Sequence, residues 1–170
     1  MKTKKNIVLI GMMGSGKSSI GKILSRRLNL DFIDIDIKIE ENENMTISEI
    51  FKKKGEDYFR EIEKNISIKC LKLEDKIIAL GGGGYINQLI RKQCSINCLT
   101  FWLNWKNDVI IKRISNSKKR PLAMKLNSFG IKKLINKRIK IYNLSNYKIN
   151  CDKLNKNQIV QKIIKLYENH

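Results

Sequence analysis

The segment Gly11-Met12-Met13-Gly14-Ser15-Gly16-Lys17-Ser18 restricts the possible folds of this chain more than any other stretch. It fits the pattern Gly-x4-Gly-Lys-Ser/Thr without a mismatch. The apolar run Asn6 to Ile10 precedes it, and Lys17 to Leu28 follows with Ile20, Ile23, Leu24 and Leu28 at helical spacing. An unbroken apolar strand suits a parallel sheet buried on both faces. Strand, glycine loop and helix in this order make a phosphate cradle, because glycines let successive backbone N–H groups turn toward one anion and the helix start adds a favourable dipole. Gly14, Ser15 and Gly16 supply that backbone. Lys17 can reach the β- and γ-phosphates as a point charge, Ser18 can offer its hydroxyl to Mg²⁺, and Ser19 can contribute at the α-phosphate. A turn kept small only for packing would need neither Lys17 nor Ser18.

The rest of the chain alternates between strand and helix patterns. Strands are expected at Asp31 to Ile35, Lys76 to Leu80, Cys98 to Leu103 and Tyr147 to Cys151. Thr46-Ile47-Ser48-Glu49 has the spacing of a capping box and opens a short helix to about Lys53. After Gly55, the residues Tyr58, Phe59, Ile62, Ile66 and Cys70 mark a longer helix to Leu71. Further helices are expected at Gln88 to Gln93, Trp105 to Ile114, Gly130 to Leu144 and Asn157 to Tyr167. Ser115 to Ser128 has no apolar periodicity, is strongly basic and holds Pro121, the only proline; it reads as a mobile loop. The expected fold class is α/β, a five-stranded parallel sheet flanked by helices in three layers, with ligands at the carboxyl ends of the strands. A length of 170 residues suits a single domain spanning 1–170.

Several function classes lose support on composition. The apolar run behind the basic start is too short for a signal peptide, and no segment reaches the roughly 18 apolar residues of a membrane span, so a cytoplasmic protein without a membrane partner is expected. Cys70, Cys94, Cys98 and Cys151 form no CxxC pair and the only histidine is His170, which argues against a zinc site or a disulfide framework. A net charge of +19 raises the question of a nucleic-acid partner. Lysine, isoleucine and asparagine are heavy throughout, as AT-rich coding produces, and the excess reads as spread along the chain. The densest cluster, Lys118-Lys119-Arg120, lies where a phosphate-covering loop would use it. A general attraction for anions such as ATP follows, with no specific nucleic acid expected.

Asp34 and Asp36 flank Ile35 at the end of the second expected strand, so extended backbone would point both carboxylates to one side of the sheet. One could hold the water shell of Mg²⁺ while the other accepts a proton from an attacking hydroxyl. Equally, they could end a strand or cap the next helix. Four consecutive glycines, Gly81 to Gly84, are conformationally costly unless a ligand or backbone must come close. Arg60 and Arg138 could each be a solvated surface arginine, and Arg120 part of a solvated basic run.

Taken in order, GMMGSGKSSIGKILSRRL, DFIDIDIKIE, ISEIFKKKGEDYFREIE, LGGGG, RPL in a basic loop and KRIKIY resemble the shikimate kinase family of P-loop kinases over nearly the whole chain. That resemblance implies transfer of the ATP γ-phosphate to the 3-hydroxyl of shikimate, on the route to chorismate and the aromatic amino acids. It implies Asp36 as general base, Asp34 and Ser18 near Mg²⁺, and Arg60 and Arg138 on the shikimate carboxylate, a task that suits guanidinium groups. It also implies a backbone N–H from Gly81, Gly82 and Gly83, chiefly Gly82, toward the acceptor. Arg120 would be a lid arginine closing over ATP within a lid at about 115–128, and Asn155 would lie against the adenine. The acceptor-binding helical region would be about 36–62, and a monomer is expected. The chain departs from the pattern in its fourth glycine, Gly84, and in Asn155-Lys156, where many relatives place an arginine or glutamine. Two other readings stand beside this one: a related kinase acting on gluconate or a nucleotide, and a P-loop nucleic-acid-binding protein.

Overall fold

The structure, a computed structural model, describes residues 5–115 and 127–170. Strands β1 (Asn6–Ile10), β2 (Asp31–Asp34), β3 (Lys76–Ala79), β4 (Cys98–Asn104) and β5 (Tyr147–Asn150) form one parallel sheet in the order β2-β3-β1-β4-β5. Every residue of β1 is buried, as its apolar run requires. Ile7 and Leu9 face a layer built from α1 (Lys17–Leu28) and α7 (Lys156–Glu168). Val8 and Ile10 face the opposite layer, made by α2 (Ile35–Glu43), α3 (Ile47–Leu71), α4 (Gln88–Asn97), α5 (Asn107–Ser115) and α6 (Ser128–Tyr142). Each such isoleucine or leucine, removed from water, contributes roughly 1.5–3 kcal/mol against its exposed state. The chain runs from β1 to one side of the sheet and returns to the other, so β1 stands at the switch point where α/β sheets open a crevice.

Helix ends follow local chemistry. Asn29 and Asn44 adopt left-handed backbone (φ 53° and 49°) and close α1 and α2. Thr46 and Glu49 form the expected capping box at the start of α3. Gly55 (φ 85°, ψ 173°) breaks α3 where the break was expected.

Two expectations need correction. The second strand stops at Asp34, and Ile35 to Glu43 is a helix, so Asp36 sits in a first helical turn and not on extended backbone. The helix after β4 begins at Asn107, two residues late, because Asp152 accepts the Lys106 N–H at 2.8 Å and holds Trp105 outside it. The basic residues occur on both helical layers, and it is the acidic ones that are localised. No acidic residue precedes Asp31, and only Asp108, Asp152 and Glu168 follow Asp75. The carboxylates gather on β2, α2 and α3, whereas α1 and α7 expose Lys22, Arg26, Arg27, Lys162 and Lys165. Most of the expected lid, and Arg120 with it, lies outside the described residues.

Candidate active site

The loop after β1 has the shape its glycines predict. Gly14 and Gly16 lie at φ 80° and 92°, backbone that L side chains rarely adopt. Gly16 caps α1 without a side-chain partner, and no acidic residue occupies the first turn, so that helix start faces the loop with its positive end uncompensated. Lys17 is buried, and its ammonium donates to the carbonyls of Gly11 and Met12 at 2.9 and 3.1 Å. From outside, the Trp105 indole donates to the Ser15 carbonyl at 2.9 Å and Arg113 to the Gly14 carbonyl at 3.1 Å. Arg113 stacks on the Trp105 ring at 4.0 Å, so the two act as one clamp on the loop. Sequence reading did not single out either residue.

Asp34 serves two partners. Its Oδ1 accepts the Asp36 N–H at 3.1 Å, capping α2, and its Oδ2 accepts the Ser18 hydroxyl at 2.5 Å. The capping alternative is thus true of Asp34, and it leaves the other oxygen turned toward the phosphate loop. A hydroxyl and a carboxylate side by side are hard oxygen donors, the set that suits Mg²⁺. Because Asp34 caps α2, Asp36 enters the first turn with its carboxylate beside Gly81, where an added Cβ would lie 2.7 Å from its Oδ1.

The glycine run is tight for lack of space, since none of its members has positive φ. A Cβ on Gly82 would meet the backbone N of Met13 at 2.9 Å, and one on Gly83 would meet Arg60 at 2.6 Å. Gly84 differs: its nearest neighbour would be 3.4 Å away, and it starts a 3₁₀ turn, Gly84–Ile86. The fourth glycine therefore extends the run without moving the crowded positions. The Gly82 carbonyl accepts from Arg138 Nη1 at 2.9 Å and from the Tyr142 hydroxyl at 2.5 Å.

Arg60 on α3 pairs with Glu63 at 2.6 Å and with Glu56 at 3.2 Å. Glu63 is 3% exposed and went unnoticed in the sequence. Burial pushes its carboxyl above the ordinary value, and the Arg60 guanidinium opposes that shift. The pair holds Arg60 against the glycine turn rather than free in solvent.

These groups converge. A cleft of about 440 Å³ is lined by Ser18, Asp34, Asp36, Arg60, Glu63, Gly82, Gly83 and Arg138, with Ile37, Ile47, Phe51 and Phe59 as an apolar wall. A second cavity of about 230 Å³ adjoins it through shared residues Met13, Ser18, Asp34, Asp36 and Gly82 and includes Gly14, Gly16, Lys17 and Ser19. Ser15 lies buried in the loop, and Gly81 sits between the carboxylates of Asp36 and Glu63. Asn155 lines neither cavity; it caps α7, accepting from the Gln158 N–H at 2.9 Å in a capping box. The arrangement can hold a phosphate chain on one side and, on the other, a small acceptor bearing a carboxylate and hydroxyls, with a carboxylate base between them.

The chain is similar to known proteins over nearly its whole length. The shikimate kinase family matches residues 13–168. The shikimate kinase of Sulfurihydrogenibium sp. (strain YO3AOP1) is 41% identical over 160 residues, covering 94% of this chain and 96% of the relative. That of Bacillus subtilis (strain 168) is 40% identical over 169 residues, covering 95% and 88%. Among solved structures, the shikimate kinase from Acinetobacter baumannii in complex with shikimate superposes with a TM-score of 0.92 at 27% identity, over 99% of this chain and 95% of that one. A gluconokinase from Sinorhizobium meliloti 1021 (TM-score 0.60, 16% identity, covering 99% and 97%) shares the fold alone.

Proposed function

The chain belongs to the shikimate kinase family, and from that premise we propose that it transfers the γ-phosphate of ATP to the 3-hydroxyl of shikimate, giving shikimate 3-phosphate and ADP on the route to chorismate. One observation carries the residue-level reading: Asp36, Arg60, Gly82 and Arg138, far apart in the chain, line a single cleft that opens onto the phosphate loop. In this reading Lys17 and the amides of Gly14, Ser15 and Gly16 bind the phosphates, with Ser18 and Ser19 at the start of α1. Arg60 and Arg138 bind the acceptor carboxylate, a planar group that guanidinium forks match with paired hydrogen bonds. Gly82 and its neighbours meet the acceptor through backbone because side chains there would collide.

Asp36 accepts the proton of the 3-hydroxyl as its oxygen bonds to the γ-phosphorus and the bond to the ADP oxygen breaks. Ser18 and Asp34 would hold Mg²⁺, which when bound neutralises charge on the β- and γ-phosphates. Arg120 serves as the lid arginine, Asn155 lies near the adenine, the lid spans about 115–128 and the acceptor-binding helical region about 36–62. No helix among the described residues is long and apolar enough to cross a membrane. A monomer in the cytoplasm completes the reading.

The test is an acceptor screen coupled to ADP release, with ATP and Mg²⁺ and with shikimate, gluconate or a nucleoside monophosphate as acceptor. Shikimate alone should support turnover. Turnover with another acceptor and none with shikimate refutes the assignment, and tight, salt-sensitive binding of nucleic acid with no turnover would favour the regulatory P-loop reading.

A further inference from the structure

Tyr142 is the last residue of α6 and is 1% exposed. Its hydroxyl donates to the Gly82 carbonyl at 2.5 Å, and Arg138, one helical turn earlier on the same face, donates to the same oxygen at 2.9 Å. A backbone carbonyl has two lone pairs, and here each donor takes one. Arg138 has another task in the reading above. A guanidinium that turns toward an acceptor carboxylate loosens its hold on a backbone oxygen, because donor directions in the fork are fixed. The phenol has no competing partner of that kind. The Trp102 ring, with centroids 5.8 Å apart, and Met12 Sδ at 3.7 Å confine it. Burial raises its pKa to about 12, so it remains a donor across the working pH range.

The turn transmits that anchor. A trans peptide is planar, so fixing the Gly82 carbonyl also fixes the opposed N–H of Gly83. The Gly81 carbonyl accepts the Gly84 N–H at 3.0 Å, which fixes the preceding peptide and the Gly82 N–H with it. Resting on the acceptor assignment above, we propose that Tyr142 is a positioning residue: its phenol pins the Gly82 carbonyl so that the glycine turn keeps its shape while Arg138 engages the acceptor carboxylate.

Tyr142→Phe keeps the ring and removes the hydroxyl, which donates to Gly82 and also faces the Arg138 guanidinium; the Gly82 carbonyl retains Arg138, so no buried acceptor is orphaned in the free enzyme. Its KM for shikimate should rise on the order of tenfold, the loss of one hydrogen bond to a buried group, while KM for ATP stays within about twofold. Tyr85→Phe is the control. That phenol is also buried and donates to the Leu144 carbonyl at 3.3 Å, outside the cleft, and its loss should leave both KM values alone. Unchanged shikimate KM in Tyr142→Phe, an equal rise for both substrates, or collapse of the thermal midpoint would each overturn the inference and leave Tyr142 a packing residue. A wild-type enzyme inactive on shikimate would remove the acceptor assignment and this inference together, and that arm is read first.

Discussion

Gly82→Ala tests whether the glycine turn is glycine for want of space. The new Cβ would lie 2.9 Å from the Met13 backbone nitrogen, about half an ångström short of an ordinary contact. The obstructing atom is main chain on the phosphate loop, so no side-chain rotation relieves the overlap. The loop and the turn must instead move apart. Overpacking of this kind costs about 1–3 kcal/mol, which lowers the thermal midpoint of a chain this size by roughly 2–12 °C. The larger effect is expected on catalysis, because in the proposed reading the two segments being separated carry the donor phosphate and the acceptor. A displacement of about 1 Å between reacting partners costs on the order of a hundredfold, so about half of that should lower kcat/KM at least tenfold. Gly84→Ala is the internal comparison, since its Cβ meets nothing closer than 3.4 Å. Its turnover should match wild type, and its midpoint should hold or rise by a few degrees, from about 1 kcal/mol of unfolded-chain entropy at most. Both variants are read by differential scanning fluorimetry and coupled ADP release. Equal damage from the two substitutions, or a silent Gly82→Ala, would refute the crowding argument.

Three further outcomes follow from contacts in the cleft. Lys17→Ala should lower phosphoryl transfer by at least about a hundredfold while circular dichroism stays native, since in the proposed reading its charge is the loop's one cation for the phosphates. Asp34→Ala should lose the α2 cap, about 1 kcal/mol, and also raise the Mg²⁺ concentration needed for half-maximal turnover; Asp34→Asn should restore the cap but not the Mg²⁺ dependence, and restoration of both would remove Asp34 from the metal site. Glu63 has a folded pKa raised above the ordinary 4.5, so its contribution to stability is complete below that value and is lost as pH rises through the folded value. As pH rises from the ordinary value through the folded one, the midpoint of wild type should therefore fall relative to Glu63→Gln, and a constant or opposite difference would show that Arg60 outweighs burial.

The loop from Gly11 to Ser18 and the helix Lys17–Leu28 were legible because their signals are local: glycine spacing and an apolar stripe. Helix α2 was not. Its opening Ile35-Asp36-Ile37-Lys38-Ile39 alternates apolar and polar residues as a strand does, and only the Asp34 cap turns it into a helix. Asp34 caps α2 through one oxygen and accepts the Ser18 hydroxyl through the other, so the cap does not exhaust its carboxylate. Glu63 was legible only in part. It stands four residues after Phe59 and three before Ile66, on the apolar stripe of α3, and Glu61 does not. That spacing separates the two glutamates, but the Arg60 partner and the glycine turn that receive Glu63 come only from the fold. Trp105 was read as a helix residue because the Asp152 side chain that delays the helix is remote in sequence. The clamp it forms with Arg113 could not be seen without the fold.

The presence of basic side chains on both helical layers has a practical outcome. Lys22, Arg26, Arg27, Lys162 and Lys165 cover the α1–α7 layer, and Lys132, Lys133, Lys137 and Lys140 on α6 stand exposed on the opposite one. A sulfonate bead or anionic electrode in dilute buffer would therefore draw the molecule down by either layer, with contact weakening as salt shortens the Debye length to about 10 Å at 0.1 M. The helices that wall the cleft, α2 and α3, belong to one of those layers, so protein captured this way would present the cleft in mixed orientations.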